Sequence, residues 1–262
     1  MLKKNYKSQG EMMKKIYILT LAFTSLISAG SFSNLQLLYG NFNGDSAVYD
    51  VEEGKGKTTL TYEYIAFSNI GDIFSFVDYN VADGRLFVPG EAEGPKTSFY
   101  SEIHPRLSLS YLSGKTLSVG PIKDFFIATE LNIGSDADYR AGLIGLGVNI
   151  DIPYFDYASA NVYYKYEKFD PYIPFTRDTA QLSFAYGVHF GDTNFSINGW
   201  FDWTKYSFQS QDQLLYKLAD IGKGKKVEIG VEYLYYQENK DVVNAYTKPK
   251  TSVLQAMIKY SW

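Results

Sequence analysis

Few side chains in this sequence have the types and spacing that catalysis or metal binding needs. The chain of 262 residues has no cysteine and two histidines, His104 and His189, so thiolate nucleophiles and zinc-thiolate sites are excluded. A hydrolase built on a membrane barrel needs a histidine with acid or serine partners at one rim. Here His104 lies beside Pro105 in a predicted strand, and His189 precedes a predicted tight turn. Because the sequence also lacks glycine-rich phosphate loops and metal-ligand spacings, we expect no enzyme activity, no cofactor and no metal.

Aromatic and charged side chains, in contrast, recur at alternating positions. Residues two apart lie on the same face of a strand, so Phe74, Phe76 and Asp78 would project to one side. Twelve such residues are candidates for one common inner surface: Glu63, Phe74, Phe76, Asp78, Glu102, His104, Arg106, Asp124, Phe126, Lys165, Trp200 and Asp202. A surface that mixes aromatic rings with both signs of charge can stack on a flat solute and hydrogen-bond its polar groups.

The elements that must position these residues are strands. The end of the chain, from Leu254 to Trp262, alternates apolar with mostly polar residues, and a period of two indicates a strand with one apolar face. Twelve strands are predicted, at 34–42, 57–67, 72–80, 98–110, 122–133, 139–150, 156–166, 178–189, 194–204, 212–220, 225–236 and 252–262. The tenth also suits a helical turn. Pro105 fits the fourth strand only if a bulge relieves its missing N–H.

The connections between the predicted strands fall into two classes. Tight turns mostly follow the even-numbered strands, at 68–71, 151–155 and 190–193, and longer loops mostly follow the odd-numbered ones, at 43–56, 81–96, 167–177 and 237–251. The exceptions are a long turn at 111–121 and a short loop at 134–138. This is the plan of an outer-membrane barrel with both chain ends in the periplasm. We predict an all-β, transmembrane, antiparallel up-and-down barrel of about twelve strands. The alternative is a soluble sandwich or lipocalin-like barrel, whose aromatic side chains would fill the core.

The start of the chain has the three-part layout of a secretory signal peptide. Lys14 and Lys15 precede the apolar run Ile16–Leu26, and small residues follow it up to Ser33. The run is about half of the roughly 20 apolar residues that a spanning helix needs, so we predict a cleaved signal over 1–33, cut after Gly30 or Ser33, and a barrel over 34–262. Removing five lysines and one glutamate changes the net charge from -4 to -8, which disfavours nucleic acid as a partner.

One block of sequence adds information that periodicity does not. Residues 101–134 read "SEIHPRLSLSYLSGKTLSVGPIKDFFIATELNIG" and contain E-I-x-P-R-x-S followed by L-S-x-G-P-x-K-D. In the same order along the chain stand "LTYEYIAF" (60–67), "FSFVDYN" (74–80), "GLGVNIDIP" (145–153), "NVYYKYE" (161–167) and "FDW" (201–203). Together these segments resemble the nucleoside-specific channel-forming proteins of the Tsx family over most of residues 57–203. At His104 the chain departs from the family pattern, where we expect an acidic residue.

The resemblance implies a monomeric, twelve-stranded outer-membrane barrel with a narrow channel for nucleosides. In such a channel the aromatic residues Phe74, Phe76, Phe126 and Trp200 would stack on the base. The charged residues Glu63, Asp78, Glu102, Arg106, Lys165 and Asp202 would bind sugar hydroxyls and polarise the pore. The same charges are equally compatible with a network that holds the wall together and blocks flow.

Two other functions stay open from the sequence. One is a general small-solute porin, and the other is an occluded structural or receptor barrel whose loops bind bacteriophage or partners, as the resemblance to the family and its OmpK relatives implies. The candidate loops are 82–96 and 166–178. The remaining expected partners are nucleosides or similar small aromatic solutes, outer-membrane lipid, and the barrel-assembly machinery through the C-terminal strand that ends at Trp262.

Overall fold

Twelve antiparallel strands form a closed barrel in the computed structural model, which describes residues 30–42, 51, 55–86, 94–135, 139–169, 175–238 and 250–262. The strands are β1 (Gly30–Asn41), β2 (Gly56–Phe67), β3 (Gly71–Ala82), β4 (Thr97–Ser108), β5 (Ile122–Gly134), β6 (Arg140–Ile150), β7 (Tyr157–Phe169), β8 (Phe175–His189), β9 (Phe195–Thr204), β10 (Ser207–Gly222), β11 (Lys225–Glu238) and β12 (Lys250–Ser261). Each pairs with its neighbours in the chain, and β12 pairs with β1. The predicted all-β up-and-down barrel is confirmed.

The barrel is apolar on its outside and polar on its inside. Leu146, Val162 and Leu254 are 64%, 58% and 63% exposed on the outer wall, whereas Gln36 and Glu130 on the inner wall are each 1% exposed. A soluble barrel requires the opposite arrangement, with polar residues outside and aromatic residues in the core, so the soluble alternative is wrong. The outer face is suited to lipid and the inner face to a polar lumen.

Several strand bounds differ from the sequence predictions. The tenth strand is a strand and not a helical turn, and at Ser207–Gly222 it is much longer than the predicted 212–220. β7 and β8 pair as far as Phe169 and Phe175, so the predicted long loop 167–177 shrinks to 170–174, which lies outside the described residues. β1 begins at Gly30, ahead of the predicted start at 34. Most of the predicted signal peptide, residues 1–29, also lies outside the described residues.

Pro105 is accommodated in β4 without the expected bulge. The β4–β5 register is the same on both sides of it, with Ile103 opposite Leu131 and Arg106 opposite Ala128, and only the pairs at His104 and Pro105 are missing. The Pro105 carbonyl accepts a hydrogen bond of 3.3 Å from Thr129 Oγ1. The missing N–H therefore removes a local pair of the ladder and leaves the alternation of faces unchanged.

The chain leaves β4 through a short helix, α1 (Leu109–Ser113), where the sequence predicted a strand as far as residue 110. The Ser108 side chain accepts a hydrogen bond from the Tyr111 N–H, as an N-cap does, and Gly114 ends the helix in the left-handed region at φ 65°. β4 therefore ends two residues earlier than predicted. Among the residues that the structure describes, no helix is long and apolar enough to cross a membrane.

Trp262 directly follows β12 and fastens it to β1. Its backbone N–H and carbonyl exchange two hydrogen bonds of 2.9 Å with Ser33. The indole stacks on Tyr260 at a centroid distance of 5.3 Å and contacts Tyr62 at 6.2 Å. The ring lies on the outer wall, in the position of an interfacial aromatic belt.

We expect Trp262→Ala to lower the free energy of unfolding by about 1–3 kcal/mol, because each of the two ring contacts is worth about 0.5–1.5 kcal/mol. Urea titration of the barrel in phospholipid vesicles, followed by circular dichroism, measures the change. Tyr154→Ala is the control, since Tyr154 is 92% exposed between β6 and β7. Equal losses in the two variants would contradict a specific role of the indole in closing the barrel.

Candidate functional site

Four aromatic side chains form a continuous row on one wall of the lumen. The ring centroids are 6.0 Å apart from Phe74 to Phe76, 5.9 Å from Phe76 to Tyr100 and 6.1 Å from Tyr100 to Tyr139. All four side chains are half-buried, so part of each ring is accessible from the lumen. We call this row the aromatic ladder. It runs from the turn end of the barrel, where Gly30 and Trp262 lie, toward the loop end, where β1 connects to β2.

A cluster of two carboxylates and one imidazole lies next to the ladder. His104 Nε2 is 2.7 Å from Glu102 Oε2, and His104 Nδ1 is 3.3 Å from Glu130 Oε2. The imidazole also contacts the Phe74 ring edge-on at a centroid distance of 5.5 Å. The inner faces of β4 and β5 therefore place charged groups directly beside the aromatic surface, as the alternation of the sequence predicts. We call Glu102, His104 and Glu130 the histidine cluster.

Arg106 binds to neighbouring strands at the turn end through two of its three nitrogens. Its Nε and Nη2 donate to the two oxygens of Asp72 at 2.8 and 2.6 Å, and Nη2 also donates to Asn149 Oδ1 at 2.8 Å. The guanidinium lies 4.4 Å from the centroid of the Phe126 ring, which is only 4% exposed. Arg106 and Phe126 thus brace the wall, and the Phe126 ring is covered rather than presented to a solute.

A second ion-pair network crosses the lumen toward the loop end. The Arg177 guanidinium pairs with Glu167 on β7 and lies 3.4 Å from Glu238 on β11. Lys165 Nζ is 3.3 Å from the same Glu167, and the Arg177 guanidinium stacks 4.6 Å from the Tyr206 ring centroid. Because β8 and β11 are three strands apart in the barrel, Arg177 ties together walls that share no backbone hydrogen bonds.

Side chains fill the lumen beside β1, β10 and β12. Gln213 Nε2 on β10 donates to Gln36 Oε1 on β1 at 2.8 Å, across three steps of the wall. Lys259 Nζ lies 3.6 Å from Glu63 Oε2, which links β12 to β2. An apolar cluster packs on the same side: Leu38, Leu215 and Met257. These contacts occupy the lumen beside β1, β10 and β12, whereas the aromatic ladder lies on β3, β4 and the residue that precedes β6.

Residues from two different connections meet at the loop end. Val51, which follows β1, forms an isolated bridge with Leu86, which follows β3. Both are buried in a cluster with inward-facing residues of the rim: Phe42, Val51, Ala82, Leu86 and Val253. We call this the mouth cluster. It brings Val51 and Leu86 together at the loop end, an arrangement that the sequence did not predict because isolated apolar residues in a loop have no periodicity.

The other predicted lumen residues lie on the inner face but apart from the histidine cluster. Asp78 Oδ1 accepts a hydrogen bond of 2.5 Å from Thr61 Oγ1, and Asp202 accepts hydrogen bonds from Ser183 and Gln209 at 2.6 and 3.2 Å. Trp200 shares a face with Asp202 on β9, six strands from β3 in the barrel. It therefore lies on the wall opposite Phe74 and Phe76 and is not part of the ladder.

Asp124 belongs to the turn end rather than to the solute path. Its carboxylate accepts hydrogen bonds of 2.5 Å from both Ser108 Oγ and Ser110 Oγ, and one of 2.8 Å from the Phe125 N–H. These bonds hold α1 against the start of β5. The Asp124 carboxylate, which we expected to line the channel, thus fixes the connection between β4 and β5.

Sequence reasoning missed several residues of the site. Tyr100 has the parity of Glu102 in β4, so extending the alternation by one step would have found it. Tyr139 and Arg177 lie at predicted strand ends, where bounds are uncertain by about two to four residues. The pairing of Arg177 with Glu238 joins strands that are distant along the wall, and alternation within one strand carries no signal for such contacts.

Comparisons with known proteins match most of the chain to one family. The family described as nucleoside-specific channel-forming protein, Tsx, matches residues 37–248. Outer membrane protein OmpK of Vibrio parahaemolyticus is 28% identical over 116 residues, 44% of this chain and 43% of that protein. The nucleoside-specific channel-forming protein Tsx of Escherichia coli O157:H7 is 33% identical over 114 residues, 40% of this chain and 38% of that protein. The chain thus aligns with less than half of the length of these relatives.

Solved barrel structures are also similar to this one in part. The KdgM porin has 12% sequence identity and a TM-score of 0.44, with 87% of this chain and 99% of that chain covered. The outer membrane protein Omp33 of Acinetobacter baumannii has 12% identity and a TM-score of 0.37, with 88% and 97% covered.

Proposed function

Because this chain belongs to the Tsx family of nucleoside-specific channel-forming proteins, we propose that it is a passive channel for nucleosides or similar small aromatic solutes. The family and the OmpK relative indicate that it is a protein of the bacterial outer membrane. The family is a class of channels and not of enzymes. The proposal concerns the solute and the path that it takes through the lumen.

The aromatic ladder is the observation that carries the proposal. A nucleoside combines a flat base with a hydroxylated sugar, and stacking on an aromatic side chain contributes about 1–3 kcal/mol per base. Phe74, Phe76, Tyr100 and Tyr139 offer such surfaces at centroid steps of 5.9–6.1 Å. General small-solute diffusion would not need a row of evenly spaced rings on the wall of the lumen.

The polar groups beside the ladder supply the second half of the recognition. The His104 side chain is 21% exposed and Glu63 is 24% exposed, so both can reach a solute that stacks on the ladder or passes it. Many of the other lumen charges are paired with an opposite charge, and a neutral solute leaves these pairs intact. Such a lumen suits a neutral solute, and several weak contacts allow the solute to leave as readily as it enters.

Single-channel conductance of the refolded chain 30–262 in a planar bilayer tests this function. We expect a small conductance that adenosine and thymidine reduce, because a base stacked on the ladder obstructs the lumen, while glucose has no effect. A large conductance that is indifferent to all three solutes would contradict selectivity and indicate a general porin. A folded barrel of known circular dichroism that never conducts would contradict a channel altogether.

The mouth cluster favours one second candidate, an occluded barrel that acts through its loops. In that case Val51 and Leu86 close the loop end, and the connections bind bacteriophage or a partner. Residues 87–93 of the predicted loop 82–96 and residues 170–174 of the predicted loop 166–178 lie outside the described residues. Deletion of 87–93 separates the two candidates, since a channel should keep its nucleoside block and a receptor should lose phage adsorption.

The remaining partners are proposed on the same basis. Outer-membrane lipid would contact the apolar outer wall, and the barrel-assembly machinery would bind the β12 segment that ends at Trp262. We propose that the protein is a monomer, because the closed barrel leaves no strand edge to pair with a second copy. A mass of two or more chains per detergent micelle by light scattering would refute the monomer.

A further inference from the structure

The histidine cluster has the donor set of a metal site. Glu102, His104 and Glu130 each present one ligand atom, and these atoms all lie within 4.8 Å of one another. Ligands that share a zinc ion at about 2.0–2.2 Å are roughly 3.4 Å apart, so the side chains must rotate on binding, because without metal the two carboxylates face different nitrogens of the imidazole. We propose that Glu102, His104 and Glu130 bind a divalent transition-metal ion of the Zn²⁺ class in the lumen.

Glu130 provides an independent observation that points to a ligand. Its side chain is 1% exposed, and its Oε1 atom has no hydrogen-bond partner among the described residues. Its other oxygen, Oε2, faces His104 Nδ1 at 3.3 Å. A buried carboxylate oxygen without a partner is costly, and coordination of a cation by this carboxylate would remove the deficit.

Glu102 is held in the orientation that a ligand needs. Tyr100 Oη donates to Glu102 Oε1 at 2.5 Å, and Asn132 Nδ2 donates to the same oxygen at 3.0 Å. Both donors therefore act on Oε1 and leave Oε2 directed at His104. Hydrogen bonds of this kind fix the orientation of metal-bound carboxylates and raise metal affinity.

The local charge also favours a cation. The charge of Lys165 acts on Glu102, Glu130 and Asp202 together, but its ammonium is also 3.3 Å from Glu167. Besides His104, five carboxylates (Glu102, Glu130, Asp202, Glu167 and Glu238) thus share one lysine and one arginine, Arg177, that pairs with Glu167 and Glu238. A divalent ion between Glu102 and Glu130 would add positive charge to this group.

The donor types decide the class of metal. One imidazole and two carboxylates suit zinc and its neighbours among the transition metals, whereas magnesium and calcium favour sites made only of oxygen. Three protein ligands leave one position for water, as in open zinc sites. The sequence did not reveal this set, because Glu102 and His104 come from β4 and Glu130 from the facing position of β5.

Zinc binding by the folded, untagged barrel in detergent tests the proposal, and the readout is independent of whether the barrel conducts. Equilibrium dialysis with Zn²⁺, followed by elemental analysis, measures the bound metal. We expect one Zn²⁺ per barrel that Mg²⁺ in excess does not displace. We expect His104→Gln to weaken zinc binding by about 100-fold or more, since even loss of an outer hydrogen-bond partner costs about 10–100-fold.

Two further variants make the test specific. His189→Gln is the matched control, because His189 Nδ1 also faces a carboxylate, Asp156 Oδ2 at 2.5 Å, but on the exposed rim. His189→Gln should retain the wild-type affinity for zinc. Glu130→Gln should lose zinc binding, and it replaces His104→Gln as the test if His104→Gln does not fold. Equal zinc binding in wild-type and His104→Gln barrels, or none in a folded wild-type barrel, would overturn the site. His104 would then bridge the two glutamates without a metal.

Discussion

Phe76→Ala is expected to weaken the block of conductance by adenosine about 5- to 150-fold, which corresponds to the loss of about 1–3 kcal/mol of base stacking. Phe76 has ladder neighbours on both sides, Phe74 at 6.0 Å and Tyr100 at 5.9 Å. Its removal therefore interrupts the ladder in the middle. The dissociation constant from blocked and unblocked single-channel intervals measures the effect.

The design separates stacking from damage to the barrel. Phe99→Ala removes a phenylalanine from β4, but this side chain is 42% exposed on the outer wall, so nucleoside block should not change. Trp200→Ala tests the opposite wall. If Phe76→Ala and Trp200→Ala both kept the wild-type block in folded barrels, aromatic stacking would be excluded as the basis of selectivity.

Arg177→Met is expected to lower the free energy of unfolding by about 3–5 kcal/mol, the usual cost of leaving buried charges without their partner. The guanidinium pairs with Glu167 and Glu238, whose side chains are 4% and 11% exposed. Methionine keeps much of the side-chain volume but leaves both carboxylates with less compensation. Urea unfolding in phospholipid vesicles provides the measurement.

Lys123→Met is the matched control for this prediction. Lys123 Nζ is 3.1 Å from Asp151 Oδ1, but the two side chains are 63% and 65% exposed, and exposed pairs contribute little. The control should therefore unfold at the wild-type urea concentration. Similar stability of Arg177→Met and Lys123→Met would show that the network across the lumen does not stabilise the barrel.

The wall of the barrel could be predicted from the sequence because one rule governs each strand separately. Alternation assigned Phe74, Phe76 and His104 to the inner face and Trp262 to the outer face, and the even number of strands is the number that an all-antiparallel closed sheet requires. The end of β4 was missed although the signals were present, since Ser108 is an N-cap residue and Gly114 a helix terminator. The start of β10, residues 207–211, was missed because its two glutamines and two serines lack the usual strand propensity.

The contents of the lumen could not be predicted in the same way. Contacts such as Gln36 with Gln213 and Arg177 with Glu238 join strands three steps apart. Which side chains meet there depends on the stagger of the strands and on barrel diameter, and neither is written in a single strand. The same dependence explains why Phe126, correctly placed on the inner face, is covered by Arg106.

The even spacing of the aromatic ladder bears on how fast a solute can travel. The three centroid steps of 6.0, 5.9 and 6.1 Å are nearly identical, so a planar solute begins to overlap the next ring before it has left the last one. In the proposed channel, the free energy of such a solute therefore differs little between neighbouring rings, so the ladder adds no deep minimum and no high barrier. Movement along the ladder then has little effect on the rate of passage. The flux through the proposed channel depends on how fast the solute enters at one end and leaves at the other.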